Sequence, residues 1–304
     1  MPDRSYAAAL AVGLVTAAVF APALGGELVG LDGAAPGPVV ATMGVGANVA
    51  LHAVDAALVT LLLARLSHRL LPSVLAATLF ALHPLRVESL VWTSAVGPAV
   101  VGFTAVLLAL LAYEAWARAG GWWRYAAAVG VYAVGVAAYA VGVAATPLMA
   151  PVPVLLLLLD AWPLGRLDVA APGRDARCRR RLGEKLPFAV LALAALVITP
   201  PAGLLPPAGA LGPWVANAFA TVARYVGAVL VPVALTPLPV VTAPPWWAPG
   251  AVIAVAALTA AVLAVRMRVP ALALGWLWFL VALLPVLGRA PGDRFTGLPS
   301  LGPL

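Results

Sequence analysis

A chain of 304 residues with 64% hydrophobic and 10% charged residues and a mean hydropathy of +1.05 lies outside the make-up of soluble domains, where charged residues run at about 25%. Its net charge of +7 comes from seventeen arginines and one lysine scattered between apolar runs, which excludes a soluble enzyme. It also excludes a disulfide-stapled secreted domain, because Cys178 has no partner in the chain.

The fold class implied is all-α, a polytopic transmembrane helix bundle forming a single membrane-embedded domain over 1–304. A helix needs about 20 apolar residues to cross a hydrocarbon core of about 30 Å. Runs of that kind predict nine crossings, at 6–24, 40–64, 70–83, 95–115, 124–143, 146–161, 186–204, 249–266 and 270–288. Only "MPDRS" precedes the first, and no small-residue cleavage site ends it, so it reads as a retained helix.

The second crossing carries Asn48, His52 and Asp55 at spacings of four and three, hence on one face. Ionisable groups at membrane depth are functional candidates, and polar residues also join helices by hydrogen bonds. The third crossing is short and bracketed by Pro72 and Pro84; the stretch after it holds His83, Arg86 and Glu88. Glu114 and Asp160 fall near cytoplasmic helix ends and read as interfacial. The small-residue run at 124–145 suits close helix packing.

Basic residues collect on the cytoplasmic side of membrane helices. The loop "PLGRLDVAAPGRDARCRRRLGEK" carries seven basic and three acidic residues, so 162–185 is a basic cytoplasmic loop and the N-terminus is cytoplasmic. The outer face then holds Glu27 to Asp32, His83 to Glu88, and Arg289 to Arg294, with "GRAPGDRFTGLPSLGPL" outside. Segment 214–233 is assigned as an interfacial or re-entrant helix, because Arg224 sits in its middle and Arg266 and Arg268 then stay inside. Trp122/Trp123 and Trp246/Trp247 fall at helix ends as interfacial anchors.

Two of the three outer stretches carry arginine, against the positive-inside bias. Arginine offers a fixed fork of donors suited to phosphate, and a carboxylate beside it is held ionised. That combination at a membrane surface suits a lipid phosphate. Local readings also stand: an Arg86–Glu88 ion pair, a solvated turn at Asp293 and Arg294, and turn chemistry at Asp32. The chain has no phosphate-binding Gly loop, HExxH or GxSxG. No metal ligand set is assigned; the scattered acids leave room only for one weakly held Mg²⁺ beside a substrate phosphate.

The ordered blocks "LFALHPLRVESLVW", "PVLLLLLDAWPLGRL", "EKLPF", "ARYVGAVLVPVAL", "GWLWFLVALLPV" and "DRFTGLP" resemble the membrane part of the transmembrane-and-tetratricopeptide O-mannosyltransferase-like family. The resemblance covers roughly residues 20–300 and implies a GT-C-like bundle using a polyprenyl-phosphate sugar, mannose in the relatives, at the outer leaflet; a plasma membrane with its active face outward fits the topology. It implies Asp32 as the general base, Arg86 and Arg294 as donor-phosphate ligands, and His83, Glu88 and Asp293 as lining residues. The implied partners are membrane lipid, the lipid-linked sugar and a protein or glycan acceptor; no nucleic acid is expected.

The chain departs from the family where its second acid is Gly33, where the first outer loop is short, and at Thr146, a lysine in relatives. No tetratricopeptide repeat follows "DRFTGLP". Two other readings stay open beside a glycosyltransferase: a non-catalytic relative that binds lipid-linked sugar or acts as a scaffold, and a small transporter or flippase using the Asn48, His52, Asp55 stripe.

Overall fold

The structure is a computed structural model that describes residues 2–25, 45–91, 97–140, 149–167, 176–198, 206, 209–232, 248–287 and 298–302. These residues form helices and turns, with no strand among them. In chain order the α-helices are α1 (Pro2–Phe20), α2 (Val45–Ser67), α3 (Leu70–Leu82), α4 (Arg86–Val91), α5 (Gly97–Ala119) and α6 (Trp122–Ala140), followed by α7 (Val152–Ala161), α8 (Ala176–Gly183), α9 (Leu186–Ile198), α10 (Leu211–Leu230), α11 (Ala248–Val265) and α12 (Pro270–Leu283).

Three segments, Asp3–Leu24, Val45–Ser67 and Val100–Ala119, are long and apolar enough to cross a bilayer. They coincide with the first, second and fourth predicted crossings. Leu70–Leu82, Val152–Ala161, Pro249–Val265 and Pro270–Leu283 are shorter apolar helices.

Helix α1 has a face turned into the bundle and a face turned out of it. Ala9, Val12 and Thr16 are buried at spacings of three and four, whereas Tyr6, Leu10 and Leu14 are exposed. In a helix long and apolar enough to cross a bilayer, packing depends on close fit. At Gly13 a Cβ would stand 2.9 Å from the Ala53 carbonyl oxygen, so α1 lies directly on the backbone of α2. Gly135 does the same between α6 and α5, where a Cβ would meet Ala105 Cβ at 2.9 Å.

The main core gathers side chains of α2, α3, α5, α6, α7 and α9, including Val59, Phe80, Leu107, Tyr132, Leu155 and Phe188. A second core joins α10, α11 and α12 through Tyr225, Val262 and Phe279. Helix α12 links the two, since Trp278 belongs to the first and Trp276 to the second. The buried residues of α10 include Ala218, Thr221, Val222, Tyr225 and Ala228, a spacing that puts them on one face.

Instead of leaving the bundle, residues 298–302 return along α12. Trp278 Nε1 donates to the Leu298 carbonyl at 2.9 Å, and a Cβ on Gly302 would run into the Gly275 carbonyl oxygen.

Helix directions define two ends. At one, the ends of α2 and α5 meet the start of α1, and the end of α5 meets the start of α9. This is the basic end. At the other, the start of α2 meets α4, and the ends of α3 and α10 meet.

Candidate functional site

The peptide after α3 turns sharply, with Arg86 N–H donating to the His83 carbonyl at 2.8 Å and Val87 N–H to that of Pro84 at 3.1 Å. Proline at 84 ends α3 because it disfavours helical geometry in the residue before it. His83 Nδ1 accepts from the Leu85 N–H at 3.2 Å, so its proton resides on Nε2, which donates to the Val229 carbonyl of α10 at 3.2 Å. The imidazole therefore clamps the end of α3 to the end of α10.

Arg86 opens α4 and is buried, at 4% exposure. Its Nη2 points to Ser300 Oγ at 3.4 Å, and its guanidinium carbon lies 4.9 Å from the centre of the Phe80 ring. Ser300 is a residue that sequence reasoning misses. An uncharged serine a few residues beyond "DRFTG" carries no signal of its own; only its distance from Arg86 reveals it. Of the other predicted residues in this region, Asp32, Asp293 and Arg294 lie outside the described residues, as does the side chain of Glu88.

Two apolar hollows share Gly302 in their lining. One, of about 380 Å³, is lined by Val226, Val229, Leu230, Trp276 and Phe279 and reaches Gly302. The other, of about 160 Å³, lies between Val59, Leu62, Leu66 and Trp278 and also reaches Gly302. Val229 is the partner of His83, and Gly302 stands two residues from Ser300.

The membrane-depth stripe on α2 is brought together as its spacing required, and each member bonds across to another element. Asn48 Nδ2 donates to the Leu90 carbonyl at 3.4 Å, and His52 Nε2 to that of Ala81 at 2.9 Å. Asp55 Oδ1 accepts from Thr104 Oγ1 at 2.6 Å. All three side chains are buried. They form a seam joining α2 to α3, α4 and α5.

At the basic end the acids are enclosed by protein. Asp160, expected near a membrane surface, is 0% exposed. Its Oδ1 accepts from Arg166 Nη1 at 3.0 Å, while Oδ2 accepts from the Tyr113 hydroxyl at 2.8 Å and from Lys185 Nζ. Arg166 also reaches Glu184 Oε2 at 3.0 Å and stacks 4.6 Å over Trp116. Glu184 Oε1 accepts from Arg181 at 2.8 Å. Burial pulls the Lys185 ammonium below the ordinary lysine value, opposed by Asp160 and Glu184. Burial also works against the Arg166 charge, but Asp160, Tyr113 and Glu184 outweigh it and hold the guanidinium above its usual value.

Glu114 is likewise buried, at 3% exposure, between Arg118 Nε and Arg65 Nη1. The partners of both acids are missed by sequence reasoning for one reason. Their arginine and lysine partners occupy segments whose charge reads first as an orientation signal. No group of three or more His, Cys, Asp or Glu side chains converges on a metal-sized site among the described residues.

Compared with known proteins, the chain matches no family model, and no curated protein or solved structure matches it.

Proposed function

We propose that the protein is a membrane glycosyltransferase that moves a sugar, mannose in the family it resembles, from a polyprenyl-phosphate carrier to a hydroxyl acceptor, protein Ser or Thr included. The observation that carries this reading is the place of Arg86. Three blocks of the resemblance converge on its turn: "HPLRVES" itself, the end of α10 through His83 and Val229, and the segment after "DRFTG" through Ser300. A buried cation, together with an apolar hollow of about 380 Å³ lined in part by Val229, the partner of His83, suits an amphiphile with a phosphate at one end and a hydrocarbon chain at the other.

In the proposed step the acceptor oxygen attacks the anomeric carbon with inversion. The bond from that carbon to the phosphate oxygen breaks, and the acceptor proton passes to the Asp32 carboxylate as general base. Phosphate leaves with both bonding electrons, and Arg86 and Arg294 stabilise its charge. His83, Glu88 and Asp293 complete the lining. Nine crossings, with α10 interfacial, would place this end of the bundle outside and the basic end in the cytoplasm of a cell whose plasma membrane holds the chain. The bonded seam at Asn48, His52 and Asp55 supports a structural role over a transport path.

The test is transfer of radiolabelled mannose from polyprenyl-phosphate mannose to acceptors in membranes, at matched expression. Asp32→Asn should lower transfer by about 10²- to 10⁴-fold. Arg86→Ala should weaken donor binding as well as transfer. Absence of transfer in the parent chain, with donor binding retained, would overturn the enzyme reading in favour of a binding protein.

A further inference from the structure

The basic end contains a cavity of about 640 Å³ lined by Arg4, Arg65, Arg118, Arg124, His68 and Glu114, among others. We propose that this cavity is a binding site for a dianionic phosphate group, separate from the Arg86 region and independent of any sugar transfer.

Charge is the first observation. Four arginines face the cavity against the single carboxylate of Glu114, so the balance attracts an anion. Pre-orientation is the second. Glu114 is buried and binds both Arg118 Nε and Arg65 Nη1, the latter at 3.5 Å. Arg118 Nη2 donates to the Arg65 carbonyl at 2.9 Å, and Arg65 Nη2 to the Tyr6 hydroxyl at 2.9 Å. Two guanidiniums are thus held in fixed poses by one buried acid. A fixed guanidinium loses little freedom when it meets phosphate, and its fork matches the oxygens of that group.

Arg124 stands at the rim, 4.7 Å over the Trp123 ring with Nη1 donating to the Gly120 carbonyl at 3.3 Å. Arg4 also lines the cavity, exposed in the first turn of α1. Neither takes part in holding Glu114.

Depth is the third observation. The cavity lies where α1 begins and where α2 and α5 end, and these carry the three membrane-length segments. Trp122 and Trp123 beside it are 83% and 57% exposed, as rings at the headgroup layer are. A phosphate held here sits at headgroup level. A phosphomonoester lipid such as phosphatidic acid and free phosphate share the required chemistry.

The test uses the whole chain in phosphatidylcholine nanodiscs, with and without phosphatidic acid, and native mass spectrometry to count retained phosphatidic acid. The expected result is one saturable site, weakened about tenfold by Arg4→Gln and again by Arg124→Gln, and unchanged by Arg266→Gln with Arg268→Gln. Retention that survives excess inorganic phosphate assigns the site to the lipid; displacement by millimolar phosphate, with the same sensitivity to the Arg4 and Arg124 variants, assigns it to the free anion. Equal losses from the Arg4/Arg124 pair and the Arg266/Arg268 pair, or no saturable binding, would overturn the proposal. Because substitutions at Arg4 and Arg124 leave Glu114 paired, an unfolded variant is not the expected outcome, and an unchanged melting temperature verifies this.

Discussion

The two ends of the bundle handle buried charge in different ways. At the basic end, Asp160 is enclosed by Tyr113, Arg166 and Lys185, and Glu184 extends the group to Arg181. Positive and negative charges answer one another within a few ångströms. At the other end, Arg86 meets a serine hydroxyl and a ring face, and His52 and His83 meet backbone carbonyls. A closed ion network ties segments together.

The sharpest way to break this contrast is Asp160→Ala. It removes the more deeply buried of the two carboxylates that Lys185 and Arg166 share, the other being Glu184, and the expected cost is about 3–5 kcal/mol, measured by unfolding of purified protein in detergent. Adding Lys185→Met should recover part of that loss, a coupling that a double-mutant cycle resolves. If the two substitutions added independently, the network would not be a unit.

A smaller effect is expected at the α5–α6 contact. Gly135→Val brings its Cβ to 2.9 Å from Ala105 Cβ and 3.1 Å from Met149 Sδ, and should cost about 1–3 kcal/mol. Next comes Tyr132→Phe. It removes the hydroxyl that donates to the Met149 carbonyl at 2.7 Å and should lower stability by about 1 kcal/mol. Asn48→Ala, at the other end, breaks one 3.4 Å bond to the Leu90 carbonyl and should cost the least, about 0.5 kcal/mol. A loss at Asn48 as large as that at Asp160 would erase the distinction between the ends.

Much of the fold is legible in the residues alone. Apolar run length locates α1, α2 and α5, and the period of Asn48, His52 and Asp55 places them on one helix face. The adjacency of His83 to α10 is not legible in the sequence, because residues 146 apart, such as His83 and Val229, leave no periodic trace. Lys185 and Asp160 are 25 residues apart, separated by a loop whose arginines dominate its reading. Periodicity reports which face a residue occupies on its own helix. It does not report which loop will fold back to meet that face.

The contact at Gly13 bears on the order of assembly. A membrane chain is delivered to the bilayer from its N-terminus, and domains form in that order. The α1–α2 hairpin can close once Ser67 has been made, because its tight fit between Gly13 and Ala53 needs nothing later in the chain. Asp160 must wait for Lys185. Until Lys185 is made, the Asp160 carboxylate lacks the ammonium that answers it in the folded bundle.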